Sequence, residues 1–247
     1  MASLTEHLHP AESGVEHHHR DVQGGAARAA VFGISDGLTT NVSLILGVAG
    51  AAATTGSQFV RLAGLAGLIG GAFSMAAGEY VSMKAQSELL ERELEIERRE
   101  ISRHPGSERR ELAAIYRNRG VEPEVADELA REMMRDPELA LETHAREELG
   151  IDPTSLGSPR KAAVSSFIAF SVGAVIPLFP WFFMKGTAAV IASVVLGAIA
   201  ALVVGGLLAR FTGRSWARSA LRQLFIAGLA AGVTYLVGKA VGVSGAA

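Results

Sequence analysis

The 247-residue chain has no cysteine, which excludes disulfide bonds and thiolate metal sites and gives no information on compartment. Its N-terminus has no cationic segment followed by an apolar core, so we expect no cleaved signal peptide. It also has no glycine-rich phosphate loop of the Walker type. That absence argues against ATP-driven pumping, so any transport would use an ion gradient.

Acidic residues are missing from the last part of the chain. Of the 25 Asp and Glu residues, 20 lie between Glu79 and Asp152, and none follows Pro153. Hydrophobic residues make up 49% of the chain and charged residues 19%. A soluble protein distributes its acids over its whole surface. This segregation therefore indicates a membrane protein with a soluble insert.

Five apolar segments are long enough to cross a bilayer as helices, and no strand pattern occurs between them. The segments are residues 29–53, 60–83, 162–184, 186–209 and 223–243. We predict an all-α membrane protein with five transmembrane helices and a helical cytoplasmic metal-binding insert between spans two and three. The predicted domains are a polar tail (1–27), spans one and two (28–83), the insert (84–152) and spans three to five (160–243).

Basic residues predict the orientation. Apart from Arg61 and Lys185, most of them lie in the insert or in the arginine-rich loop after span four, which fall on one side of five spans. The positive-inside rule then places the N-terminus, the insert and this loop in the cytosol, and the C-terminus outside. The loop contains Arg210, Arg214, Arg218 and Arg222.

The segment from Phe73 to Glu111 joins the membrane part to the insert. No proline or glycine occurs between Gly78 and Pro105, so we predict one continuous helix from span two into the acidic insert. Ser107 is the predicted N-cap of the next helix. Further helices are expected to end near Gly120, to start at Glu122-Pro123, and to run from Asp136-Pro137 to Gly150. Pro177 and Pro180 predict a kink or an unwound segment near the end of span three.

Three residues of the first two spans are candidates for a transport pathway. Asp36 is the one charge in span one and shares a helix face with small and polar residues. A carboxylate at membrane depth normally faces a pathway or a partner, although it could also lie near the surface, bonded to a neighbouring helix. The thioether of Met75 suits Fe²⁺ better than Mg²⁺, and Glu79 follows one turn later. The alternatives are ordinary packing for Met75 and an anchoring role for Glu79. The helix face of Asp36 continues with Thr40, Ser43, Gly47 and Gly50. In spans two and five, the glycine pairs Gly67/Gly71 and Gly228/Gly232 predict close approach of neighbouring helices.

The insert carries carboxylates at spacings that place each pair on one helix face. The pairs are Glu97/Glu100 and Glu108/Glu111, and His144 precedes Glu148 by four residues. Carboxylates with one imidazole suit Fe²⁺, Mn²⁺ or Zn²⁺. The alternative is a solvated acidic surface paired with the twelve basic residues of the insert, and on spacing alone this alternative is the stronger. A ferritin-like di-iron oxidase is disfavoured, because neither His104 nor His144 follows a glutamate by three residues.

Three segments resemble the vacuolar iron transporter family, and the sequence resembles its bacterial members. They are VFGISDGLTTNVSLILGVAG at 31–50, GAFSMAAGEYVSM at 71–83 and LETHAREELGI at 141–151, and the similarity extends over about 28–243. The resemblance implies a five-span homodimer that exchanges cytosolic Fe²⁺ for protons through a pore at the dimer interface. It implies that Asp36 and Met75 line that pore. It also implies that metal binds in the insert at Glu97, Glu100, Glu108, Glu111 and Glu148.

The chain departs from the resemblance at one place. Where relatives often have two methionines, this chain has His144-Ala145, so an imidazole replaces a thioether and Mn²⁺, Co²⁺ and Zn²⁺ stay candidates.

We expect an antiporter rather than an enzyme, in a bacterial cell membrane, with Fe²⁺ as substrate, no cofactor and no nucleic-acid partner. The alternatives are a membrane-tethered metal buffer or sensor and a purely structural membrane protein. The histidines of the tail (His7, His9, His17, His18 and His19) indicate a disordered segment or a loose metal-capture site.

Overall fold

A computed structural model of the chain describes residues 25–51, 56–150, 152–153 and 157–244, and within these ranges it contains helices and no strand. The histidines of the predicted tail lie outside the described residues. The helices are α1 (Gly25–Ala51), α2 (Ser57–Arg103), α3 (Pro105–Asn118), α4 (Pro123–Met133), α5 (Pro137–Glu147), α6 (Pro159–Leu178), α7 (Gly186–Thr212) and α8 (Trp216–Ser244), with a 3₁₀ turn at Phe179–Phe182.

Five of these helices have the length and composition of membrane spans. They are α1, the apolar first part of α2, α6 with its 3₁₀ turn, α7 and α8. Their exposed side chains are largely aliphatic or aromatic, which suits contact with lipid. The predicted all-α architecture with five spans is confirmed.

Helix α2 is a single rod. Its 47 residues extend roughly 70 Å, more than twice the hydrocarbon thickness of about 30 Å, so its second part must project beyond the membrane. The predicted continuity is confirmed, and the helix ends where Pro105 follows. The predicted N-cap at Ser107 is wrong. Helix α3 already begins at Pro105, because the fixed φ of proline suits the first turn, where no backbone N–H is needed.

Helix α1 lies at the centre of the membrane part and packs against α6, α8 and α2. It approaches α6 closely, since a Cβ added at Gly37 would overlap the carbonyl of Phe170. The buried Asn41 donates from Nδ2 to the carbonyl of Ala174 at 2.6 Å. A polar group at this depth needs such a partner, so the bond fixes α1 against α6.

The two glycine pairs have different surroundings from those predicted. Gly67 faces Leu44 of α1, whereas Gly71 faces Phe170 of α6, so the first pair divides between two neighbours. A Cβ added at Gly228 or Gly232 would meet no atom within 4 Å. The close approach predicted for this second pair is therefore absent among the described residues of one chain.

The proline-rich end of α6 unwinds as predicted. The helix passes through Pro177 and gives way to the 3₁₀ turn that contains Pro180. Trp181 Nε1 donates to Ser193 Oγ at 2.8 Å, and Ser193 Oγ donates to the Pro177 carbonyl at 2.7 Å. These buried bonds fasten the turn to α7.

Helices α3, α4 and α5 fold back on the projecting part of α2. One cluster joins Ile101 to Ala140 and Leu141, and a second joins α3 to α4. Asp136 caps α5 by accepting from the backbone N–H of Glu138 at 2.8 Å. As a result, one face each of α2, α3 and α5 points into the same interior.

Candidate metal centre and membrane pathway

Three of the predicted insert ligands meet in this interior. Glu97 comes from α2, Glu108 from the first turn of α3 and His144 from α5, and one ligand atom of each lies within 4.8 Å of the others. All three side chains are buried, with relative exposures of 7%, 8% and 0%. The helix–turn–helix around Pro105 brings Glu97 and Glu108 together.

Several polar atoms of this cluster have no hydrogen-bond partner among the described residues. They are Glu97 Oε1 and both ring nitrogens of His144. His144 Nδ1 lies 3.2 Å from Glu97 Oε1 and 3.5 Å from Glu148 Oε2, but without hydrogen-bond geometry. Buried polar atoms are nearly always partnered, and leaving them unpaired is costly. A cation bound by Glu97 Oε1 and by one ring nitrogen of His144 would satisfy both of those atoms.

The electrostatics of the cluster also favour a cation. Burial, and then the nearby charges of Glu148, Glu108, Glu111 and Glu100, raise the pKa of Glu97 to about 7. Burial likewise raises the pKa of Glu108, with Glu111 as the next cause, and His144 partly offsets the rise. Carboxylates that repel one another in this way are stabilised when a metal ion lies between them.

The other predicted ligands lie at the edge of the cluster. Glu100 is half-buried and meets His104 Nδ1 at 2.8 Å, while Glu111 is exposed. The basic residues of the insert pair with different acids, such as Arg99 with Glu95. Within the described residues, no arginine or lysine pairs with Glu97, Glu100, Glu108, Glu111 or Glu148. The solvated, ion-paired surface that was the stronger interpretation on spacing alone fits other acids of the insert, but it does not fit the buried Glu97 and Glu108.

The predicted polar face of α1 has two parts. Ser43, Gly47 and Gly50 lie against α8, where Thr234 Oγ1 donates to the carbonyl of Ser43 at 2.8 Å. Asp36 is half-buried and accepts from Thr40 Oγ1 at 3.4 Å. Contact with α8 therefore explains the small residues of the face. Asp36 and Thr40 are the part of this face that points outward.

On α2, Met75 and Glu79 have separate surroundings. Met75 is half-buried and packs against the cluster of Ala72, Phe170 and Ala174. Glu79 is buried, and Arg28 Nη2 of α1 lies 2.9 Å from its Oε2. The sequence interpretation missed this partner. Its signal was that Arg28 is the one basic residue of α1 and Glu79 the one acid in the apolar part of α2.

A model of the VIT family matches residues 27–239. The chain belongs to the VIT family. Vacuolar iron transporter 1 of Eucalyptus grandis is 34% identical over 222 residues, which cover 88% of this chain and 87% of the relative. The proteins of the same name in Oryza sativa subsp. japonica and Arabidopsis thaliana are each 32% identical, covering 94% and 95% of this chain and 92% and 94% of the relatives. The resemblance seen in the residues is thereby confirmed.

The residues that the VIT resemblance singles out fall into two groups. Asp36 and Met75 lie in the membrane part, and the insert cluster lies on the projecting part of α2. Twenty-two residues separate Met75 from Glu97, which is roughly 33 Å along a helix. One ion cannot be held by both groups at once, so any metal that they bind would occupy separate positions.

Proposed function

We propose that this VIT-family chain transports Fe²⁺ out of the cytosol in exchange for protons, with other divalent transition metals as further substrates. The observation that carries the proposal is the buried cluster of Glu97, Glu108 and His144 with its unpartnered ligand atoms. Glu97 of this cluster lies on the same continuous helix that places Met75 among the membrane spans. The names of the relatives, which describe iron transporters, support the choice of substrate.

The insert is the proposed capture site. Carboxylate oxygens and one imidazole suit Fe²⁺, Mn²⁺, Zn²⁺ and Co²⁺, whereas Mg²⁺ and Ca²⁺ prefer oxygen alone. Ligands drawn from α2, α3 and α5 hold the substrate ion close to the membrane and raise its local concentration there.

Asp36 and Met75 form the proposed pathway in the membrane. A hard carboxylate and a soft thioether bind a borderline ion such as Fe²⁺ without holding it too tightly to release. A carboxylate binds either a metal ion or a proton, so Asp36 or Glu79 couples the two flows. The ion pair with Arg28 gives Glu79 an additional role, because it joins α1 to α2.

We infer that the transporter is a homodimer with the pathway between two copies. Ala66, Gly70, Ser74 and Gly78 recur every four residues along α2 and are all exposed. A Cβ added at Gly70 or Gly78 would meet no atom within 4 Å. Small residues at this spacing let membrane helices approach closely. A second α2 fits this face and would cover the outward side of the pathway.

The proposed location is the cell membrane of a bacterium, with the insert and the N-terminus in the cytosol. The basic residues beside the spans support this orientation through the positive-inside rule. The relatives are named for the vacuole. In either membrane, the proposed direction takes metal from the cytosol, where the insert lies.

A membrane-tethered metal buffer or sensor is the second candidate. The observation that favours it is that the buried cluster is complete without any membrane residue. This function predicts metal binding to the full chain with no flux across a bilayer.

Uptake of Fe²⁺ into proteoliposomes with an imposed pH gradient tests the proposal. We expect accumulation by the wild type and its loss in Asp36→Ala, while metal binding to the insert persists. Glu124→Gln is the matched control, since it removes one exposed acidic charge far from both sites and should transport normally. Normal transport by Asp36→Ala would reject the pathway, and binding without uptake by the wild type would favour the buffer.

A further inference from the structure

Four arginines lie at or beside the turn between α7 and α8, and none has a carboxylate partner among the described residues. Arg210, Arg214, Arg218 and Arg222 are all exposed. Within the described residues none of them forms an ion pair, and no acidic residue occurs anywhere after Pro153. Their positive charge is therefore uncompensated by this part of the chain.

Two of these arginines mark the edge of the membrane. Residues 186–209 before Arg210 carry no charge, and neither do residues 223–238 after Arg222. Trp216 begins α8 and is 61% exposed, as is common for tryptophan at the level of lipid headgroups. The guanidinium groups thus lie where the phosphates of a bilayer lie.

The same face of α8 continues into the membrane as an apolar stripe. Leu221, Phe225 and Leu229 follow Arg218 and Arg222 at helical spacing and are 61%, 68% and 58% exposed. Helix α8 packs against α1 and α7 on its other side, so none of the described helices covers the stripe. Basic side chains beside an exposed apolar stripe complement the anionic headgroup and the acyl chains of a phospholipid.

We propose that Arg218 and Arg222, aided by Arg210 and Arg214, bind the headgroup of an anionic phospholipid whose acyl chains lie along Phe225 and Leu229. Guanidinium groups form paired hydrogen bonds with phosphate oxygens, and basic residues at this depth favour anionic lipids. The acidic insert is the other source of negative charge, with 19 acidic and 12 basic residues over 84–152. An insert bound at this loop would leave the stripe below Arg222 uncovered, whereas a lipid covers both.

The test measures lipid selectivity next to this face. The chain has two tryptophans, so Trp181→Phe and Trp216→Phe remove both, and Phe225→Trp then places a single reporter one turn below Arg222. The protein is reconstituted in mixtures of phosphatidylglycerol and phosphatidylcholine in which one or the other lipid is brominated. Quenching of the reporter gives the relative affinity of the two lipids.

We expect phosphatidylglycerol to be preferred by roughly five-fold or more, from the contribution of each arginine near an anionic lipid. The preference should fall to about one in Arg218→Gln/Arg222→Gln and weaken with added salt. Arg131→Gln/Arg135→Gln is the matched control, because these exposed arginines have the same spacing but lie in the insert. It should keep the preference.

Equal quenching by the two lipids in the single-tryptophan protein with all four arginines intact would overturn the proposal. So would a preference that survives Arg218→Gln/Arg222→Gln, or one that the control pair also abolishes. Because the reporter background removes the buried Trp181, native mass spectrometry of the otherwise unaltered chain provides a second measurement. Retention of phosphatidylglycerol should drop only in the α8 variant, and equal retention in both variants would again contradict the proposal.

Discussion

His144 is the one fully buried histidine among the described residues, and its ring lies among carboxylates with both nitrogens unpartnered. In a site of otherwise oxygen ligands, this nitrogen donor raises the affinity for transition metals over Mg²⁺ or Ca²⁺. The identity of this residue therefore sets which ions the insert can retain.

His144→Ala should lower the affinity of the detergent-solubilised chain for Zn²⁺ and Mn²⁺ at least about tenfold, as expected when a metal site loses a ligand or its support. Titration calorimetry measures the loss. His104→Ala is the control, because His104 is exposed and meets only Glu100 at the edge of the cluster. Equal losses in the two variants would show that the buried cluster is not the site.

Glu97 should make the stability of the metal-free insert depend on pH. Its pKa is raised to about 7 by burial and neighbouring carboxylates, so between about 4.5 and 7 the folded state holds a proton that the unfolded state has released. Stability is then complete below about 4.5 and falls as pH rises to 7. Glu97→Gln, which stays neutral, should remove this fall, on the order of 2–3 kcal/mol.

Thermal unfolding between pH 5 and pH 8 without metal measures this difference. The gap in melting temperature between Glu97→Gln and wild type should widen up to pH 7 and then stay constant. With metal present the order should reverse, since only the wild type gains from binding. A gap that does not change with pH would contradict the raised pKa.

At the scale of helices, α2 links the proposed capture site to the proposed membrane pathway. Its projecting part carries Glu97, and its membrane part carries Met75 and Glu79. A rigid connection keeps the two groups at a constant separation of roughly 33 Å, whereas a break would let the insert move relative to the spans.

Gln86→Pro should break this connection while sparing both sites. Proline within a helix removes a hydrogen bond and costs about 3 kcal/mol, and Gln86 is exposed between the two groups. We expect metal binding to persist, because the apolar clusters that hold the insert together lie beyond residue 86. We expect Fe²⁺ uptake to fall at least about tenfold. Gln86→Ala should transport normally. Normal uptake by Gln86→Pro would show that the continuity of α2 is dispensable.

Local signals predicted most of these helices. The absence of Pro and Gly between Gly78 and Pro105 predicted the rod, and Asp136-Pro137 predicted the start of α5. The failures came from long-range packing. The Gly67/Gly71 pair divides between α1 and α6, because which side of a helix meets which neighbour depends on the fold and not on spacing.

The same limit applied to the site. The i, i+3 spacing placed each glutamate pair on one face, but only Glu97 and Glu108 turn inward, while Glu100 and Glu111 stay at the edge. The crossing of α2, α3 and α5 decides this difference. The ion pair of Arg28 with Glu79 joins residues 51 positions apart, and no local pattern reveals it.

At the scale of the whole molecule, the exposed small-residue face of α2 predicts the assembly. Because the chain has no cysteine, Ser74→Cys introduces a single thiol on this face. Oxidation in membranes should cross-link two copies through it. Val203→Cys on α7 is the control, because Val203 is also exposed, at 54%. Its thiol should not cross-link, and the opposite pattern would place the dimer contact elsewhere.

The central claim is that metal and protons cross the membrane in opposite directions through this chain. The most direct test loads proteoliposomes with a pH-sensitive dye, sets an acidic interior and adds Fe²⁺ outside while recording both metal entry and internal pH. If the chain exchanges Fe²⁺ for protons, Fe²⁺ should enter, the internal pH should rise at the same time, and both signals should disappear in Asp36→Ala. Entry of Fe²⁺ with no change in internal pH would contradict proton exchange.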